Sequence, residues 1–170
     1  LVDAFSSLAQ SLEQTAQTHA HDHPYHQLLA ILHAYRNWAV QNPTDFQLTY
    51  GNPIPSYVAP RERTVPAVIR GFAVIVGAIQ ALIQTPQYTP QAPYDTIPAP
   101  MLACIRRMID EDGYPVHPMA LYLGLSGWMQ LHGIISLELY NHLQPVVGDV
   151  DVFYHAQMVN MLASFGVSAP

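Results

Sequence analysis

The sequence predicts an all-α fold: a single-domain helical bundle of about seven or eight helices that dimerises through a four-helix bundle. Apolar residues recur at spacings of three and four along most of the chain, as they do on helix faces. No alternating apolar run bounded by hairpin turns, which would indicate a β-sheet, occurs in the 170 residues. The stretch 118–143 is long, almost uncharged and helical in its periodicity.

The N-terminal half of the chain predicts four helices. The first places apolar residues on one face at spacings of four, three and four. Pro24 and Pro43 suit first helical positions, Asn42 suits a cap, and Gly51 suits a helix end. Three prolines between residues 52 and 60 indicate a loop. We expect helices at 1–18, 24–41, 43–50 and 61–84.

The C-terminal half predicts three further helices. Five prolines between residues 85 and 100 exclude a helix or a central strand there. Gly113 suits the end of a short helix, and Pro118 suits the start of the long apolar one, which Pro145 cannot continue. Asp149 suits the opening of the last helix. We expect these helices at 101–111, 118–143 and 149–165.

Composition limits the possible functions. Half of the residues are hydrophobic and only 11% are charged, which is more apolar surface than one small core needs. A ligand cavity or an oligomer interface would account for the surplus. The formal net charge is −6 and all six basic side chains are arginine, so this chain lacks the basic patch of a nucleic-acid binder. Its single cysteine, Cys104, excludes an intrachain disulfide framework and indicates a reducing, cytoplasmic location.

The stretch 118–143 is apolar or small nearly all the way round. Such a helix either spans a membrane or is buried on two sides. Its glycines, His132 and Glu138 argue against lipid. We therefore expect no membrane partner, with one helix face in the core and the other against a second subunit.

Two motifs resemble one family. Trp128, His132 and Gly133 form a W-x-x-x-H-G pattern similar to that of the WHG-type C-terminal domain of TetR-family transcriptional regulators. A second segment, from Tyr35-Arg36 through Asn42-Pro43 to Gly51, also resembles that family. The resemblance covers most of the chain, from about residue 20 to the end.

The resemblance implies an effector-binding and dimerisation domain over residues 19–170. Residues 1–18 would then be the connecting helix from a missing N-terminal helix-turn-helix domain. The implied partners are a second copy of the chain, an apolar small-molecule effector, and operator DNA bound only through the missing domain. The implied role is that of a repressor released by its effector. The alternative is a stand-alone helical carrier or sequestering protein for apolar small molecules.

An aromatic, aliphatic and sulfur-containing set is predicted to line the ligand cavity, because pockets are mostly apolar with a few orienting polar groups. Any single member is better explained as ordinary core, and the prediction rests on the set as a whole. The few charges available indicate an uncharged or weakly polar ligand. The set is Trp38, Phe46, Tyr50, Phe72, Ile75, Ile79, Met101, Cys104, Met108, Tyr122, Leu125 and Met129.

The dimer interface is predicted on the outer face of the central helix and on the final helix. Paired across a two-fold axis, these two helices would form a four-helix bundle with two helices from each subunit. The predicted contacts are Leu123, Ser126, Gln130, Ile134, Leu137, Asn141, Phe153, Gln157 and Asn160.

Other features favour structural over chemical roles. The histidines of the segment 19–26 straddle a helix junction with no cysteine or glutamate beside them, so we expect no metal site. Trp128 and His132 are expected to pack in the core, with the imidazole bonded to a buried carbonyl. No nucleophile elbow, phosphate-binding loop or dinucleotide fingerprint occurs, so we expect neither an enzyme nor a cofactor.

Overall fold

A computed structural model describes residues 1–51, 60–112 and 115–170. The described residues form eight helices and no strand, apart from an isolated bridge between Tyr88 and Val167. This confirms the all-α prediction. The helices are α1 (Val2–Thr18), α2 (Pro24–Gln41), α3 (Pro43–Tyr50), α4 (Arg61–Leu82), α5 (Ala99–Asp112), α6 (Pro118–Leu139), α7 (Gln144–Val147) and α8 (Val150–Ser164).

The core lies among α1, α2, α4, α6 and α8. Helix α1 packs against α2 and α4, and both α2 and α4 pack against α6. Helix α8 closes the other side against α2 and α6. The most buried side chains come from all five helices and include Leu12, Ile31, Leu82, Leu131 and Met158. Each of these fully buried side chains contributes about 1.5–3 kcal/mol to folding.

Helix α6 ends at Leu139, four residues earlier than predicted. Asn141 adopts a left-handed conformation with φ of 58°. Its N–H donates to the Glu138 carbonyl at 2.9 Å, and the N–H of His142 donates to the Leu137 carbonyl at 2.8 Å. This is a Schellman cap in which asparagine replaces the usual glycine, so the helix stops before the proline.

Local signals elsewhere differ in detail from their predicted roles. The Asn42 amide donates to the Trp38 carbonyl at 2.9 Å, so this side chain closes α2 and does not cap α3. Pro66 lies inside α4, which begins at Arg61. The loop predicted at 52–60, except for Pro60, and the cap predicted at 113 lie outside the described residues.

Helix α4 is long and apolar enough between Glu62 and Leu82 to cross a membrane, with a mean hydropathy of 1.9. The buried helix of a soluble domain meets the same criterion. Here α4 lies against α1, α2 and α6, with Ile75, Val76 and Ile79 in the core. We therefore interpret α4 as a core helix.

Candidate functional site

A cavity of about 180 Å³ lies between α1, α2, α4 and α6, with the end of α3 at its edge. Its wall is almost wholly apolar. The polar side-chain atoms in the lining belong to three residues: the phenols of Tyr35 and Tyr50 and the indole of Trp128. The lining residues are Phe5, Leu8, Tyr35, Tyr50, Ala67, Val68, Ile69, Gly71, Phe72, Ile75, Leu125 and Trp128.

His132 stands behind this wall and is bonded to it. Its Nε2 lies 2.7 Å from the hydroxyl of Tyr35. Burial lowers the pKa of His132 to about 4, so the imidazole is neutral at physiological pH. Burial also raises the pKa of Tyr35 well above its usual value, so the phenol keeps its proton. The pair is therefore an uncharged phenol–imidazole hydrogen bond.

Aromatic rings hold His132 in place. The Tyr50 ring meets the imidazole edge-on, with centroids 4.4 Å apart and planes at 86°. The Trp128 ring lies 4.5 Å from it and the Phe46 ring 5.4 Å. The Tyr50 contact is edge-to-face, an arrangement that adds about 0.5–1.5 kcal/mol beyond the area it buries, whereas the Trp128 and Phe46 rings are tilted at 52° and 41° to the imidazole. The cavity wall is consequently a fixed aromatic cluster.

Arg36, next to Tyr35 on α2, makes a second polar connection. Its Nε and one terminal nitrogen donate to the two carboxylate oxygens of Glu138 on α6, each at 2.6 Å. The other terminal nitrogen donates to Asp151 in the first turn of α8, also at 2.6 Å. The Arg36 and Glu138 side chains are only 7% and 8% exposed. One arginine thus joins three helices.

Tyr154 packs against this arginine. Its ring lies 5.1 Å from the guanidinium carbon of Arg36, within cation–π distance. Its hydroxyl donates to the Leu32 carbonyl at 2.6 Å. Burial raises the pKa of Tyr154, so this hydroxyl remains a donor. The contact fixes α8 against α2.

Comparison with known proteins places these features in a family. The model of the "Tetracyclin repressor-like, C-terminal domain" family matches residues 28–161, which include Tyr35, Arg36, Trp128, His132 and Glu138. The chain belongs to the TetR family. The prediction from the two motifs is therefore confirmed.

Individual relatives of this chain support the assignment to the TetR family. The HTH-type transcriptional regulators Rv1816 of Mycobacterium tuberculosis and Mb1846 of Mycobacterium bovis are each 32% identical to it over 158 residues. The match spans 92% of this chain and 67% of each relative. The crystal structure of the protein SCO4313 has a TM-score of 0.70 at 28% identity, covering 95% of this chain and 70% of that one. These similarities support the assignment of the chain to the TetR-like transcriptional regulators.

Four of the residues predicted to bind ligand lie around the cavity: Tyr50, Phe72, Ile75 and Leu125. Three others are buried elsewhere in the TetR-like core. The indole of Trp38 donates to the Ser7 hydroxyl at 3.0 Å, and Phe46 packs against His132. Ile79 lines a separate gap of about 10 Å³, which is too small for a ligand.

The remaining predictions for ligand contacts are corrected. Met101, Cys104 and Met108 are exposed on the solvent side of α5, because that helix packs inward through Ile105 and Ile109. Met129 is 65% exposed on the outer side of α6. Tyr122 is half-buried, with its ring 6.3 Å from that of Tyr94, and does not line the cavity.

Sequence reasoning missed most of the cavity wall that α1 and the first half of α4 form. It also gave Trp128 a purely structural role, whereas Trp128 lines the cavity. The predicted carbonyl partner of His132 was wrong as well, because the imidazole bonds the Tyr35 hydroxyl. The motifs could have located the α2 and α6 side of the cavity, since both Tyr35 and Trp128 belong to the family pattern, but they contain no residue of α1 or α4.

The predicted dimer residues divide into two groups. Leu123 is 1% exposed and Ser126 is 8% exposed, because neighbouring elements cover the N-terminal half of α6. The prediction that these two contact a second subunit is corrected. The others are exposed or half-buried on the outside of the domain: Gln130, Ile134, Leu137, Asn141, Phe153, Gln157 and Asn160.

The histidine-rich junction forms ordinary local contacts. His19 bonds Asp22 at 2.6 Å, and His23 accepts from the Tyr25 N–H as the N-cap of α2. Within residues 1–51, 60–112 and 115–170, no group of three or more potential ligands could hold a metal ion.

Proposed function

We propose that this chain is the effector-binding and dimerisation domain of a TetR-like repressor, and that the cavity between α1, α2, α4 and α6 is its effector site. The observation that carries the proposal is the nearly apolar cavity of about 180 Å³ in a chain of this family. A cavity of about 150 Å³ in another protein stays dry and binds benzene. The effector is accordingly a small, uncharged, largely apolar molecule.

Charge supports this choice of effector. The lining contains no carboxylate, guanidinium or ammonium group among the described residues, and the nearby His132 is neutral. A charged ligand would therefore be buried without a partner, at a cost of several kcal/mol.

DNA binding in this proposal belongs to a helix-turn-helix segment outside the chain. The relatives are named HTH-type regulators, and this chain matches 67% of their length. The chain itself carries a net charge of −6. The effector would bind one arrangement of the helices better and so shift the spacing of paired DNA-reading segments. These facts favour a regulator over the stand-alone carrier considered from the sequence.

The proposed dimer uses the outer faces of α6 and α8. Large apolar side chains are exposed on both: Met129 (65%) and Leu137 (45%) on α6, with Tyr140 (53%) directly after its end, and Val152 (66%) on α8. Gly133 lies among them, with open space around the position of a β-carbon. Two such helices from each subunit would form a four-helix bundle, and an obligate interface would bury about 2,000 Å² or more.

The effector site is tested by filling it. Ala67 is 9% exposed and lines the cavity, so Ala67→Phe should abolish binding of a toluene probe in calorimetry. Ala73→Phe places the same side chain on the exposed side of the same helix and serves as the matched control. We expect the control to keep toluene binding. Equal binding by the two folded variants, or no toluene binding by the wild-type chain, would contradict the assignment of the site.

A further inference from the structure

Aromatic side chains are concentrated on the cavity wall. Five of the twelve lining residues carry an aromatic ring, against seven of the 33 buried hydrophobic residues among those that the structure describes. The cavity wall is therefore richer in rings than the core around it. The rings come from five helices: Phe5 from α1, Tyr35 from α2, Tyr50 from α3, Phe72 from α4 and Trp128 from α6.

Four of these rings form a continuous series along the wall, which we call the aromatic band: Phe5, Tyr50, Trp128 and Phe72. The Phe5 and Tyr50 ring centroids are 5.5 Å apart, with their planes at 80°. The Tyr50 and Trp128 centroids are 6.0 Å apart at 72°, and those of Trp128 and Phe72 are 6.2 Å apart at 67°. Each contact is edge-to-face, so the four rings hold one another in orientation before any ligand binds.

An aromatic ligand gains from the aromatic band whichever way the rings of the band are presented to it. An aromatic ring is partially negative on its face and partially positive at its edge. A ring face in the band therefore attracts the edge of an aromatic ligand, and a ring edge attracts its face. A saturated ring lacks this charge distribution, so it gains mainly from the burial of its apolar surface.

We infer that the cavity selects a neutral aromatic ring over a saturated ring of the same carbon skeleton, with Phe5, Tyr50, Phe72 and Trp128 as the specificity-determining residues. This inference rests on the proposed effector site and specifies the chemical class of its ligand. The volume of about 180 Å³ accommodates one six-membered ring with a small substituent. Neighbouring rings of the band are 5.5–6.2 Å apart, close to the width of such a ligand, so a bound ring contacts at least two of them.

Benzene and cyclohexane test the inference when each is titrated into the full chain and followed by NMR spectroscopy. Burial alone favours cyclohexane, because its additional hydrogen atoms give it the larger apolar surface. Each aromatic contact favours benzene about two- to tenfold. With at least two such contacts, we expect benzene to bind about three- to thirtyfold more tightly than cyclohexane.

The variant Phe72→Leu separates the effect of the rings from the effect of shape, since benzene is also the flatter molecule. It removes one ring of the band and keeps an apolar side chain, so the preference for benzene should fall about two- to tenfold. Ile75→Leu is the matched control, because Ile75 lines the same cavity from the same helix without a ring. We expect this control to keep the preference of the wild-type chain.

Three outcomes would contradict these expectations. Equal or tighter binding of cyclohexane by the wild-type chain would overturn the inference and leave the effector site intact. An unchanged preference for benzene in Phe72→Leu would also overturn the inference, because shape alone would then account for it. Failure of both probes to bind the wild-type chain would overturn the effector site together with the inference.

Melting temperatures without ligand check that the variants fold. Phe5→Leu removes another ring of the aromatic band and takes the place of Phe72→Leu if that variant does not fold. The comparison of benzene with cyclohexane on the wild-type chain depends on neither variant.

Discussion

Replacing Glu138 with leucine should destabilise the domain by about 3–5 kcal/mol. The Arg36 side chain is 7% exposed and would lose two of its three hydrogen bonds to carboxylates. Asp151, its remaining partner, is 82% exposed and compensates weakly because water screens it. A separate count gives a similar figure, since two hydrogen bonds to charged groups contribute about 1.5–3 kcal/mol each.

Urea unfolding at one fixed protein concentration measures this loss, because the stability of an oligomer depends on concentration. The double variant Arg36→Met with Glu138→Leu should recover much of it, since neither buried charge then remains. Glu13→Leu is the control: it breaks an ion pair with Arg70 in which both side chains are well exposed, 39% and 48%. A loss for Glu138→Leu no larger than that for Glu13→Leu would refute the reasoning.

Two other predictions concern pH and assembly. Burial lowers the pKa of His132 from 6.5 to about 4, so the unfolded chain binds a proton that the native chain excludes between these values. The free energy of unfolding should therefore fall as the pH drops from 6.5 to 4. The fall should be up to about 3 kcal/mol larger in the wild type than in His132→Gln. Equal pH dependence of the two proteins in urea unfolding would contradict this. Leu137→Arg should convert the proposed dimer to a monomer in analytical ultracentrifugation. Met101→Arg is the control, because Met101 on α5 is 44% exposed and Leu137 is 45% exposed, and this variant should remain a dimer. Equal sedimentation of the two variants would argue against the α6 face.

Helix starts were predictable because their signals are local. Pro24, Pro43 and Pro118 each stand at the first position of a helix, where the missing N–H costs nothing. The end of α6 was not predictable in the same way, because asparagine adopts the left-handed conformation far less often than glycine. The sequence pattern pointed to Pro145 as the stop, and the chain turns at Asn141 instead.

The site was predictable only in part, because the helices packed against a given helix determine which of its faces points inward. Met101 and Met108 have the composition of a pocket lining, but Ile105 between them takes the inward position on α5. The choice between these faces depends on how α5 packs on α6, which periodicity does not determine. By contrast, Tyr35 and Trp128 were present in the motifs, and only the packing of α2 against α6 shows that they line the same cavity.

The adjacent residues Tyr35 and Arg36 show how the proposed effector site and the proposed dimer face would communicate. Tyr35 lines the cavity, while Arg36 is joined to α6 through Glu138 and to α8 through Asp151. Consecutive residues of a helix cannot move independently, so a ligand that displaces Tyr35 also strains the ion pairs. Allosteric coupling between sites is typically about 1–3 kcal/mol, less than the cost of breaking a buried pair. We therefore expect the ion pairs to stay intact on effector binding, so that α6 and α8 shift together with α2 as one rigid unit.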